Sequence, residues 1–130
     1  AMTAKMSNQH AYAGGLIGEH ELAGSQMIQP LVAHGDGEKA LLDDAVGSSF
    51  ALIALETDQS ADIDWFEKEL GGQTLVLGDS LQDVDGKLTK YVSEHQITSV
   101  MVRPDRYIFD AGQNTAVLAA DLRRALARYR

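Results

Sequence analysis

Residues 97–110, ITSVMVRPDRYIFD, constrain the fold more than any other stretch. Val100, Met101 and Val102 form a short apolar run of strand length, and Tyr107, Ile108 and Phe109 form a second. Arg103-Pro104-Asp105-Arg106 lies between them. Proline presets a backbone angle that turns require, and aspartate can accept bonds from its own nearby backbone. Two β-rich runs around such a cluster predict an antiparallel hairpin with Pro104-Asp105 at the turn. A longer helical pattern follows at once, so the hairpin reads as the last one of an α/β sheet, closed by a terminal helix.

Upstream, residues 49–55, SFALIAL, are continuously apolar between turn signals. That pattern suits a strand buried on both faces, here a central parallel strand. Ser60 can cap a helix with Ile63, Phe66 and Leu70 on one face, ended by Gly71-Gly72. Residues 74–77 predict the next strand, and Leu88, Tyr91 and Val92 share a face of a short helix. Asn114 caps a helix running to the C-terminus. Its apolar stripe is Val117, Leu118, Leu122, Ala125, Leu126 and Tyr129, and Arg123, Arg124, Arg128 and Arg130 complement the dipole of its last turns. Before all this, residues 27–33, MIQPLVA, carry Pro30, which lacks a ladder donor and suggests an edge strand or extended arm. Residues 41–46 make one or two helical turns stopped by Gly47.

The expected order after the arm is β-α-β-α-β-β-α. With right-handed crossovers this gives an α/β, thioredoxin-like mixed β-sheet flanked by helices. A redox thioredoxin needs a C-x-x-C after the first central strand. Glu56-Thr57-Asp58-Gln59 stand there instead, and the chain has no cysteine at all. Thr98-Ser99 stand where such folds usually place a proline before the hairpin. Disulfide, thiol redox and cysteine-metal chemistry are therefore excluded.

The 130 residues suit one domain. Residues 1–23, rich in Ala, Gly, Ser, Asn and His, read as a flexible leader or the remnant of a linker, with a short ordered piece at Leu16-Ile17. Ala1 before Met2 reads as a scar of tag removal. Residues 24–130 form the domain. The net charge of -8 argues against nucleic acid and anionic membranes as partners. No apolar run reaches the length of a membrane span, and no signal peptide opens the chain, which sets a cytoplasmic expectation.

Motifs that could carry chemistry fail on detail. Gly35-Asp36-Gly37-Glu38-Lys39-Ala40, with Glu56 about 20 residues on, superficially matches the dinucleotide fingerprint. Asp36 and Glu38 would oppose a pyrophosphate, and Pro30 burdens the strand before it. Asp83-Val84-Asp85-Gly86 suggests a calcium loop, but Leu81 and Val92 would fall at its first and last ligand positions. His10, His20, His34 and His95 have no metal spacing. Ser48-Ser49 lacks a nucleophile's elbow. Trp65 and Phe66 are adjacent on a helix, so one must be partly exposed. No catalytic, cofactor-binding or metal residue is assigned.

Four pieces carry a family resemblance: Gly24 with Ile28-Gln29-Pro30; Leu42-Asp43-Asp44 with Gly47 and Phe50-Ala51-Leu52; Asp83 with Asp85-Gly86; and Val102-Arg103-Pro104-Asp105-Arg106-Tyr107. Together they resemble the C-terminal domain of FAD-dependent aromatic-ring hydroxylases, nearest to 3-(3-hydroxyphenyl)propionate hydroxylases. Many relatives place glycine where this chain has Arg106. The resemblance implies a cysteine-free thioredoxin-like domain appended to flavin-binding and substrate domains. FAD and NAD(P)H are then cofactors of the parent enzyme and not of this chain. It implies a role in assembly, against the flavoprotein body or a second subunit as a homodimer. Whether the chain is cut from a longer hydroxylase or is a free-standing homologue stays open. The rival reading is a small cysteine-free thioredoxin-like enzyme or ligand-binding module, which a deep pocket with convergent polar groups would favour.

Overall fold

The computed structural model describes residues 17–34 and 37–128. Four strands form the main sheet: β3 (Ala51–Ala54), β4 (Gln73–Val76), β6 (Ser99–Val102) and β7 (Ile108–Gly112), in the order β4-β3-β6-β7. β3 pairs parallel with β4 and antiparallel with β6, which pairs antiparallel with β7. This is the thioredoxin-like arrangement expected from the sequence, built without cysteine.

The central strands are buried along their whole length, so their side chains alternate between two cores. Leu52, Met101 and Phe109 face one core, with Ile63 and Phe66 of α2 (Ala61–Lys68) and Leu118, Ala119 and Leu122 of α4 (Thr115–Ala127). Ile53, Val100, Val102 and Ile108 face the other, with Leu88 and Val92 of α3 (Lys87–Glu94). Ser60 and Asn114 cap α2 and α4 as expected, accepting from the Ile63 and Val117 N–H groups at 3.0 and 3.1 Å. Phe66 is fully buried and Trp65 partly exposed. Helix α2 stops at Lys68, and the Gly72 N–H returns to the Phe66 carbonyl at 2.8 Å. A Cβ on Gly72 would stand 2.3 Å from the Phe66 ring, so close approach explains this glycine.

The hairpin forms where expected, with Pro104-Asp105 at its turn. The Arg106 N–H bonds the Arg103 carbonyl at 3.0 Å, and the Arg103 N–H bonds the Tyr107 carbonyl at 2.8 Å. Tyr107 stands just before β7 in an isolated bridge to Gln26, and β7 runs from Ile108 through Asp110 to Gly112. Arg106 holds φ +75°, a left-handed conformation that usually falls to glycine in such bulged hairpin loops.

A second, three-stranded sheet lies under the second core and was not expected. Its order is β2-β1-β5, from β1 (Leu31–His34), β2 (Lys39–Leu41) and β5 (Leu81–Asp83). β1 is thus a central strand and not an edge. Pro30 stands just before the ladder, where its missing N–H costs nothing and its carbonyl accepts from the Leu42 N–H. The short helix α1 (Leu42–Val46) ends at Gly47 with φ +71°.

The entry segment is also structured. The Gly18, Gly24 and Met27 N–H groups bond the carbonyls of Phe109, Ile108 and Arg106, and Gln26 bridges Tyr107 antiparallel. Ala23 is fully buried and Leu22 nearly so. Residues 17–23, assigned by sequence to the leader, lie against β7; Ala1, Met2, His10 and Leu16 fall outside the described residues.

Candidate functional site

In a redox thioredoxin the chemistry sits where the first central strand ends. Here that place is tied off. The Leu55 N–H bonds the Thr98 carbonyl at 2.9 Å, and residues 55–59 are exposed. The Thr57 hydroxyl lies 3.4 Å from that of buried Thr115, which also accepts from the Asp58 N–H at 3.4 Å. Among the described residues no base is bonded to either hydroxyl. Leu55 and Val117 each stand two residues from the Thr57–Thr115 contact and are 45% and 52% exposed. Val117 is therefore not part of the buried stripe of α4. It lies one helical step off the Leu118–Leu122 face and turns outward. Tyr129 and Arg130 fall outside the described residues.

Gly35 and Asp36 of the fingerprint-like loop fall outside the described residues. Its later part leads into β2, with Ala33 paired to Lys39 and the Gly37 N–H bonded to the His34 carbonyl. A dinucleotide site needs that turn to open a helix, whose free N–H groups meet the pyrophosphate. Asp83 and Asp85 spend their oxygens on local backbone. Asp83 accepts from the Leu88 and Thr89 N–H groups at 3.3 and 2.8 Å and from the Thr89 hydroxyl. Asp85 accepts from the Lys87 and Leu31 N–H groups at 3.1 and 3.0 Å. The Leu31 N–H, aided by Lys87, holds the Asp85 carboxyl below its ordinary value against the opposing effect of desolvation. The two aspartates form the N-terminus of α3 and tie it to β1.

The described histidines are scattered. His20 Nδ1 accepts from the Leu22 N–H at 3.1 Å, His34 ends β1, and the His95 ring lies 4.6 Å from that of Tyr91. Among the described residues no three His, Asp or Glu side chains group to hold a metal. Ser49 accepts from Gln73 Nε2 at 2.8 Å and donates to the Val46 carbonyl, a loop-fastening role. Trp65 lies under the Arg123 guanidinium at 5.5 Å, and Arg123 also reaches Asp62 at 3.4 Å. That joins α2 to α4 on the outside.

Of the open clefts among the described residues, two adjoin the arm and the entry segment. One, of roughly 430 Å³, lies between the arm at Ile28 and Pro30 and the outer side of α3 at Lys87, Lys90 and Tyr91. The Tyr91 hydroxyl is buried without a hydrogen-bond partner among the described residues, and burial pushes its pKa up to about 12. The other, of roughly 340 Å³, lies between the entry segment, Asp110 and α4 at Asp121, Arg124 and Arg128. Asp110, which sequence reasoning did not single out, is 8% exposed at the heart of this joint. Its signal was a lone carboxylate directly after the apolar run Tyr107-Ile108-Phe109. Neither cleft converges acid, base and nucleophile.

Residues 24–128 match the HcaD C-terminal domain family. The 3-(3-hydroxy-phenyl)propionate/3-hydroxycinnamic acid hydroxylase of Burkholderia cenocepacia is 28% identical over 137 residues, covering 85% of this chain and 25% of that protein. The enzyme of the same name from Comamonas testosteroni is 33% identical over 104 residues, covering 65% of this chain and 18% of its own length. The chain thus spans about a quarter or less of the curated relatives it matches. The crystal structure of a ternary complex of aklavinone-11 hydroxylase with FAD and aklavinone is similar with a TM-score of 0.58 and 25% identity, over 82% of this chain and 21% of that one.

Proposed function

This chain belongs to the HcaD C-terminal domain family, and from that premise we propose that it is a non-catalytic assembly domain of a flavoprotein aromatic hydroxylase. The parent chemistry is that of enzymes such as 3-(3-hydroxyphenyl)propionate hydroxylase, with FAD and NAD(P)H bound outside this domain in the cytoplasm. The observation that carries the reading is the sealed end of β3. Glu56–Gln59 replace the dithiol, the loop is pinned to Thr115, and half-exposed Leu55 and Val117 flank it. A surface stripped of reactive groups but left partly apolar suits contact with another protein. The partner is the flavoprotein body or a second copy, a homodimer being the commonest closed association.

Two measurements on the purified chain test this. Light scattering across micromolar concentrations is expected to give a dimer mass, and calorimetric titration with FAD is expected to give no saturable heat. Saturable one-to-one FAD binding, or hydroxylation of a phenolic acid with NADH by this chain alone, would overturn the non-catalytic reading. A monomer mass throughout, together with no binding to a hydroxylase body lacking this domain, would overturn the assembly reading.

A further inference from the structure

A sheet edge exposes unpaired N–H and C=O groups, and proteins cover such edges or blunt them. In this molecule the β7 edge is covered by the chain's own entry segment. A bulge in β7 leaves Phe109 without a partner on β6, and the Gly18 N–H takes the Phe109 carbonyl at 2.6 Å. Beside it, Asp110 Oδ1 accepts from the His20 N–H at 3.0 Å and from the Ala111 N–H at 2.9 Å. The other oxygen faces Gly18 so closely that a Cβ there would stand 2.1 Å from Oδ2 and 2.2 Å from Cγ. Further along, the Gly24 N–H bonds the Ile108 carbonyl, the Ile108 N–H bonds the Ser25 carbonyl, and the Met27 N–H bonds the Arg106 carbonyl. Burying a carboxylate is costly unless it is hydrogen-bonded. Here the entry segment supplies one of the two bonds that meet that requirement.

We infer that Asp110 clamps residues 17–27 into a fixed joint that holds Ile17 at one place beside α4. A glycine- and alanine-rich segment is ordinarily a flexible tether. The clamp removes that freedom at Gly18, where a Cβ would collide with the Asp110 carboxylate. Ile17 stands in the cleft with Asp121, Arg124, Ala125 and Arg128, and Glu19 joins them. The face offered at the joint therefore carries both signs of charge, which suits a polar, charged surface on a preceding domain and not an apolar one. The use of the joint rests on the assembly reading; the clamp itself does not.

Hydrogen exchange of the purified chain, read residue by residue, tests the clamp. In the unaltered chain the Gly18 and His20 amides should exchange at least about tenfold more slowly than in an unstructured peptide. Asp110→Ala should return both to near the unstructured rate while Ile53 and Val100 stay protected, and Asp110→Asn, which keeps an acceptor oxygen, should retain most of the protection. Gly18→Ala should release the same two amides with Asp110 intact. Unprotected Gly18 and His20 in the unaltered chain would overturn the inference, as would either disruptive variant leaving them protected. Were Asp110→Ala to expose Ile53 and Val100 as well, the unaltered chain and Gly18→Ala decide the matter. A monomer mass in light scattering would count against the assembly reading and leave this pattern untouched.

Discussion

At the scale of single residues, two of the local conflicts among the described residues can be put to a direct test. Arg106 holds a left-handed backbone that costs a residue with a side chain about 1–2 kcal/mol. It is offset by an ion pair, Arg106 Nε to Asp43 Oδ2 at 2.5 Å, half-exposed and so worth about 0–1 kcal/mol. Strain outweighs the pair, so Arg106→Gly should stabilise the fold by roughly 0.5–1 kcal/mol. Arg106→Ala keeps the strain and loses the pair, and should be neutral or destabilising; urea denaturation of both variants checks the ordering. The second conflict is Tyr91, whose hydroxyl is buried without a hydrogen-bond partner among the described residues. A phenol with a raised folded pKa contributes stability that is whole below its unfolded value of 10.0 and fades as pH rises through about 12. Its neutral form is the one the fold prefers. Tyr91→Phe should therefore hold the melting temperature at neutral pH and flatten the decline between pH 10 and 12, read by thermal melts across that range.

At the scale of elements, what the sequence made legible were long, periodic or capped pieces. The β3 run, the stripes of α2 and α4, the Ser60 and Asn114 caps and the hairpin all left patterns that packing did not override. β2 and β5 have three residues each, too few for an alternation, and they are held by pairing with β1 and by Leu81 at the core. Pro30 misdirected the reading of β1 because a one-residue offset decides whether a proline breaks a ladder or precedes it. Asp83 and Asp85 fail as a calcium loop on its end positions and read as a turn before a helix, and in the structure their carboxylates accept from the first N–H groups of α3. The three bonds on Asp83 predict that Asp83→Ala costs about 1–2 kcal/mol, with Asp83→Asn retaining part of it, measured by denaturant unfolding. Asp85 adds a pH dependence of known sign. Its folded pKa lies below the ordinary 3.8, so its support is present above that value and is lost as pH falls through the lower, folded one. Asp85→Asn should make acid unfolding less steep in that window, which circular dichroism against pH resolves.

At the scale of the whole molecule, the main sheet is shared by two cores, and the entry segment closes its open side. That closure was illegible in sequence because its contacts are mostly backbone to backbone, which leave no side-chain period. A lone carboxylate at Asp110 and the glycines at 18 and 24 were its only traces. The family match begins at residue 24, yet Leu22 and Ala23 are buried and Gly18 and His20 are bonded to β7. A chain starting at Gly24 would lose the burial of Leu22, about 1.5–3 kcal/mol. It would also strip the Gly18 N–H from the Phe109 carbonyl, about 1–3 kcal/mol for a group left unsatisfied, and leave the Asp110 carboxylate with the Ala111 N–H but without that of His20. Water reaching the opened edge recovers part of both, so the net loss should be about 2–4 kcal/mol. A chain starting at Ile17 should match the 130-residue chain. Parallel urea titrations of the three chains check this. Equal midpoints for all three would make residues 17–23 a passive leader, whereas a fall confined to the Gly24 start would place the working boundary of the domain at Ile17.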